Sequence, residues 1–202
     1  VPLVNYSARE IVCKIVYYGP GRSGKTANLQ WIHEHVAAER KGALMSLATE
    51  ADRTLFFDYL PVDFGAISGF RVRFQLYTVP GQVYYGATRR LVLQGADGVV
   101  FVADSQRARR DENAESFRDL QVNLLSHGAD PRAFPISVQY NKRDIPDPEP
   151  IEELESLLNF RGAPSYEASA VHGRGVFETL RSVTGDVLAG LSGSASLSVV
   201  RG

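Results

Sequence analysis

The sequence predicts an α/β fold of three layers: a mostly parallel six-stranded sheet with one antiparallel strand, and helices on both faces. Three observations lead there. Strand-like and helix-like runs alternate along the 202 residues, the pattern of a parallel sheet covered by helices. Val99 to Ala103 (VVFVA) is continuously apolar, as in a strand buried on both faces. The first strand leads through a glycine-rich stretch, GPGRSGKT from Gly19 to Thr26, directly into a helix. That order is the context in which G-x-x-x-x-G-K-[ST] acts as a phosphate-binding loop.

The elements follow in turn. Ile11 to Tyr18 (IVCKIVYY) is β-branched and aromatic, hence a strand. After it, Gly19, Gly21 and Gly24 let the backbone curl so that successive N–H groups face an anion. The positive end of the next helix adds to that field. Lys25 reaches the β- and γ-phosphates, and the Thr26 hydroxyl is placed to ligate Mg²⁺. Arg22, Ser23 and Ala27 complete the nucleotide-binding set of this loop. Thr26 to Val36 carries Leu29, Ile32 and Val36 at helical spacing. Leu55 to Phe64 is a strand expected to pair antiparallel with the next across a turn near Ser68-Gly69. In that next strand Val72, Phe74 and Leu76 alternate with Arg71, Arg73 and Gln75, which suggests half burial. Ile136 to Tyr140 (ISVQY) is a further strand, and another precedes Glu167. Helical faces appear at Phe117, Leu120 and Leu124, at Ile151, Leu154 and Leu158, and from Val176 to Leu191. Residues 1–192 are expected to form a single domain, and 193–202, small and polar apart from Leu197, Val199 and Val200, a flexible tail.

Composition narrows the class. Hydrophobic residues make up 44% and charged residues 22%, which is ordinary for a globular protein. The net charge of -1 gives no bulk electrostatic argument for nucleic acid or membrane. Arg89-Arg90 and Arg107 to Arg110 read as solvated faces. Cys13 is the only cysteine, which excludes an internal disulfide and fits a reducing compartment. Val1 to Arg9 lacks the apolar centre of a secretory signal, and no run approaches the ~18 apolar residues that span a bilayer. The expected setting is the cytoplasm, with no nucleic acid bound, no direct membrane insertion, and any membrane association through a partner. The spacing of the four histidines, His33, His35, His127 and His172, matches no metal template.

In such sheets ligands bind beyond the C-terminal ends of the strands. Directly after ISVQY stands NKRD, Asn141 to Asp144. A carboxylate at Asp144 can accept from both N1–H and the 2-amino group of guanine. Adenine has no donor at N1 and would strand that carboxylate, and sites built around a donor reject analogues lacking it by large factors. Asn141 either bridges to the base or braces the phosphate loop. The stem of Lys142 can cover the ring face.

These motifs resemble those of the Ras-like small GTPases, with the three-layer P-loop GTPase fold. Glu167-Ala168-Ser169-Ala170 resembles their last guanine-contacting loop, where a backbone N–H meets the C6 carbonyl; Ser169 and Ala170 are its contacts here. The third strand of such GTPases is usually followed by D-x-x-G-Q. Here the segment is Thr78-Val79-Pro80-Gly81-Gln82: Gly81 and Gln82 match, whereas Thr78 replaces the aspartate that supports Mg²⁺. The set GPGxSGKT, LATE, DRTLFFD, LYTVPGQ and NKRD narrows the resemblance to the bacterial mutual-gliding (MglA) family of polarity-setting GTPases, from about Asn5 to Leu191. Arg22 stands where that family more often has an apolar residue.

The resemblance implies roles. Thr54 closes over Mg²⁺ and the γ-phosphate, Gln82 orients the attacking water, and Arg53 acts as an arginine finger in cis. With Lys25, Arg53 and Gln82 form the catalytic set; Thr26 and Thr54 are the metal ligands. It further implies GTP as substrate, GDP as product, Mg²⁺ as cofactor, and a Roadblock-type GTPase-activating homodimer (MglB-like) as partner. Polarity and motility effectors at a bacterial cell pole complete the expectation. The rival reading, warranted by Thr78, is a non-catalytic guanine-nucleotide-binding scaffold.

Overall fold

The computed structural model describes residues 2–47, 57–81, 85–159 and 161–198. Among them are eight strands: β1 (Leu3–Asn5), β2 (Glu10–Tyr18), β3 (Met45–Leu47), β4 (Phe57–Ile67), β5 (Phe70–Thr78), β6 (Gly98–Asp104), β7 (Ile136–Asn141) and β8 (Ser165–Glu167). The helices are α1 (Lys25–His35), α2 (Gly86–Leu93), α3 (Arg110–Ser126), α4 (Ile151–Leu158) and α5 (Val176–Ser198).

All strands share one sheet, in the order β3-β4-β5-β2-β6-β7-β8, with β1 paired to β2 off this path. β5, β2, β6, β7 and β8 run parallel, and β4 is antiparallel to β5. The six expected strands are therefore all present, and the sheet is wider than six because two three-residue strands join it. Each has a local cause. β6 pairs with β2 only from Ile15 onward, so β1 takes up the earlier residues of β2 on that side. β3 pairs with the start of β4. Runs this short show no period in a sequence.

The β4–β5 hairpin closes through Ser68 and Gly69, whose φ angles are 49° and 81°. Ile67 pairs with Phe70 around them. Two positive φ angles give the mirror-image turn whose twist suits flanking strands.

Alternating side chains divide the core between the two faces of the sheet. Val16, Phe101 and Val138 meet Val92 and Leu93 of α2, Phe117 and Leu120 of α3, and Leu154 of α4. Cys13, Ile15, Phe74 and Val102 meet Leu29 and Ile32 of α1 and Leu180 and Val183 of α5. Burial pushes the Cys13 thiol up to about 12.

α5 continues to Ser198, past residue 193 where a flexible tail was expected to begin. The stretch after Gly193 holds no proline, and serine, alanine and leucine all propagate a helix once it has started.

Candidate functional site

The phosphate loop runs from the end of β2 into α1, with Gly24 at the N-cap in the left-handed region at φ 104°. Its place is fixed by close approach: a Cβ on Gly24 would lie 2.1 Å from Asn141 Nδ2. A Cβ on Gly81, in the segment after β5, would lie 2.3 Å from Gly21 Cα. The loop is thus pressed by backbone contact from one side and by Asn141 from the other. Lys25 is buried, and its Nζ donates to the carbonyls of Gly19 at 3.0 Å and Pro20 at 2.6 Å. Burial pushes its ammonium down to about 7, the Arg89 charge adds to that, and Asp58 opposes it. A polyphosphate beside it would favour the charged form. Arg22 is exposed, with φ 62°.

Beside Lys25 lies a cavity of about 280 Å³ lined by Arg22, Thr26, Ser46, Asp58, Thr78 and Gly81, among others. Asp58 is its organiser. Thr26 Oγ1 donates to Asp58 Oδ2 at 2.7 Å, Thr78 Oγ1 to the same oxygen at 3.0 Å, and Ser46 Oγ to Oδ1 at 2.6 Å. Thr78 Oγ1 also accepts from the Asp58 N–H at 2.8 Å. Beside the cationic Arg22 and Lys25, the lining presents hydroxyl and carboxylate oxygens, the hard ligands Mg²⁺ takes.

Asn141 ends β7, and Lys142 to Asp144 follow it. Asn141 Nδ2 donates to Ser23 O at 2.7 Å, and its Oδ1 accepts from the Ala170 N–H at 2.8 Å. Of its two possible tasks, bracing the phosphate loop is the one seen in this arrangement. The Ala170 N–H is engaged by Asn141, so a base carbonyl would share or take over that donor. Lys142, at φ 67°, pairs with buried Asp104 at 2.6 Å. A hydrogen bond from Ser169 holds the Asp144 carboxyl below the usual range, with the charges of His172 and Lys142 helping. His172 Nδ1 lies 2.8 Å from Ser169 Oγ and 4.0 Å from Asp144 Oδ2. Ala27 follows Thr26 in the first turn of α1, partly buried. Arg53, Thr54 and Gln82 lie outside the described residues.

Over 185 residues, 92% of this chain and 95% of the relative, the sequence is 57% identical to the mutual gliding-motility protein MglA of Myxococcus xanthus (strain DK1622). The chain belongs to the MglA family of Ras-like small GTPases. More distant relatives agree. The ADP-ribosylation factor-like protein 4D of Bos taurus is 27% identical across 79% of this chain and 72% of its own length. The Ypt/Rab-type GTPase ypt7 of Pyricularia oryzae is 23% identical across 91% of this chain and 85% of its own. No protein-family model matches the chain.

This MglA-family GTPase carries site residues that sequence reasoning missed, Asp58 above all. Its signal was a carboxylate on the strand face whose alternate positions, Leu60 and Val62, are core, one strand away from a Thr78 that lacks one. Arg109 is another: its Nη2 donates to Gly21 O at 2.8 Å. The basic runs are also not simply solvated. Arg89 is 3% exposed, stacks over the Tyr18 ring at 4.6 Å, and pairs with Asp119 at 3.1 Å. An aromatic face and a carboxylate from neighbouring elements make that burial tolerable. Arg107 pairs with Asp147 and Arg110 with Glu149, so these two charges are spent within the chain.

Proposed function

We propose that this GTPase is a switch that holds guanine through Asp144, phosphates through Gly19 to Ala27 with Lys25, and Mg²⁺ through Thr26 and Thr54, with Asp58 supplying the carboxylate that Thr78 cannot. The observation that carries this reading is the convergence of Thr26, Ser46 and Thr78 on Asp58 beside Lys25. It counts against the scaffold reading, which rested on the missing carboxylate at position 78. Mg²⁺, held there, would supply positive charge that offsets the charge of the phosphates. Lys25 neutralises charge on the transferring group, Arg53 adds its guanidinium in cis, and Gln82 orients water. Such an arginine raises rates by roughly 10³–10⁵ elsewhere.

The Myxococcus relative is a gliding-motility protein, and motility and cell polarity are the role proposed for this chain, in a bacterial cytoplasm and at a pole through partners. A Roadblock-type homodimer is the proposed activator, acting by positioning Arg53 and Gln82 rather than by inserting an arginine. Among the described residues no helix is long and apolar enough to cross a membrane.

Single-turnover GTP cleavage tests the mechanism. Gln82→Leu is expected to bind GTP like the parent and to lose nearly all hydrolysis, with and without a Roadblock partner. Cleavage at the parental rate would remove Gln82 from the mechanism.

A further inference from the structure

β7 is buried along its whole length, yet only one of its faces is apolar throughout. Ile136, Val138 and Tyr140 enter the core against α3 and α4. The opposite face reads Ser137, Gln139, Asn141. A central parallel strand is ordinarily apolar on both sides, so a fully buried glutamine there needs a reason.

Gln139 is bound to Asn28 of α1 as a reciprocal amide pair. Asn28 Nδ2 donates to Gln139 Oε1 at 2.8 Å, and Gln139 Nε2 donates to Asn28 Oδ1 at 3.0 Å. Asn28 Nδ2 also donates to Gly24 O at 2.9 Å. Gln139 Nε2 reaches Thr179 Oγ1 of α5 at 3.2 Å, and Thr179 Oγ1 donates to Gly175 O at 2.5 Å. All three side chains are 0% exposed. Each amide hydrogen and oxygen has a partner, so the pair bears no unsatisfied group. An apolar pair of the same shape would be about as stable, so burial of two amides is not explained by stability. Fully satisfied buried networks do specify one geometry.

The geometry specified is that of the nucleotide site. Asn141 lies two residues beyond Gln139 on the same face of β7 and holds Ser23 O. Through Asn28, Gln139 holds the next carbonyl, Gly24 O. The end of the phosphate loop is therefore fastened at two alternate positions, on one face, of the strand that ends in the base-reading motif. The second hydrogen of Gln139 reaches the first turn of α5, the helix that follows the Ser169-Ala170 loop in the chain.

We propose that the Asn28–Gln139 pair, with Thr179, is a positioning device that fixes the spacing between the phosphate subsite and the base subsite, and so sharpens selection of guanine. A nucleoside diphosphate spans both subsites, and a site held at the right spacing binds it at a lower ordering cost. Without the pair, the bond from Asn141 to Ser23 O still holds the loop, but the Asn28–Gln139 hydrogen bonds between α1 and β7 are gone, and the register of Asp144 with the loop loosens. The inference rests on Asp144 as the base-reading carboxylate.

The test compares GDP with IDP, which lacks the 2-amino group, by displacement of a fluorescent GDP derivative, alongside the GDP dissociation rate and thermal unfolding. In the double variant Asn28→Leu/Gln139→Met an apolar contact replaces the amide pair. Expected are a melting temperature close to the parent, GDP release at least tenfold faster, and a preference for GDP over IDP lowered at least threefold. A double variant that melts like the parent and keeps both quantities within twofold overturns the proposal. Should it fail to fold, Thr179→Val removes the third partner alone. GDP release at least threefold faster supports the device, and an unchanged rate overturns it. If the parent itself does not prefer GDP to IDP, the assignment of Asp144 is at fault. The dissociation rates then still decide whether the pair positions the loop.

Discussion

Three hydroxyls, those of Thr26, Ser46 and Thr78, donate to the Asp58 carboxylate. Because the Thr26 hydrogen points to Asp58, the lone pairs of its oxygen are left for a cation. Asparagine at 58 keeps the shape, but its Nδ2 presents hydrogens to those hydroxyls and reverses the arrangement. Groups that orient a metal ligand are worth about 10–100-fold in metal affinity. Asp58→Asn is therefore expected to raise the Mg²⁺ concentration that half-maximally slows GDP release by about tenfold. An unchanged Mg²⁺ midpoint would show that Asp58 holds hydroxyls and nothing more. At this scale the motif residues were legible because each has a fixed place in a short string. Asp58 was not, since its meaning depends on Thr78, twenty positions away in sequence and its hydrogen-bond partner across the β4–β5 ladder.

Elements with a long period or an unbroken apolar run announced themselves. β2, β5, β6, β7, α1, α3, α4 and α5 all follow from spacing or from runs buried on both faces. α2 did not. Its buried residues include Arg89 beside Val92 and Leu93, so one of its anchors is a charge that a hydrophobic pattern counts as surface. That anchor gathers Tyr18, Asp119 and Ser116, the last accepting from Arg89 Nη2 at 2.8 Å. Since Tyr18 immediately precedes the phosphate loop, α2 is hooked to the strand that presents it. Arg89→Met is expected to lose charge-assisted hydrogen bonds worth about 1–3 kcal/mol. It should lower the denaturant midpoint and speed amide hydrogen exchange across Gly86–Leu93. Exchange unchanged in α2 would mean the helix is held by its apolar side chains alone.

For the whole molecule, the phosphate loop, the base motifs and the Thr26–Asp58 cluster meet along one end of the sheet, at the C-terminal ends of its parallel strands. A ligand that bridges these parts binds only the folded chain. GDP at a hundred times its dissociation constant should therefore add about 2.7 kcal/mol to stability. For a chain of this size that is a rise in melting temperature of roughly 5–11 °C. ATP at the same concentration should leave the midpoint nearly unmoved, and an equal shift would contradict the selection assigned to Asp144. The class of fold was legible because alternation of elements is a property of the entire chain. The full width of the sheet was not, because β1 and β3 exist only through their neighbours.

Cys13 carries a practical consequence. The chain has one cysteine, it lies in the core between the sheet and the α1–α5 layer, and its thiol is pushed up to about 12. At neutral pH it offers almost no thiolate to a reagent. Any cysteine introduced on the surface can be labelled singly without first replacing Cys13. In the unaltered protein, modification of that thiol becomes a clock for opening of the core.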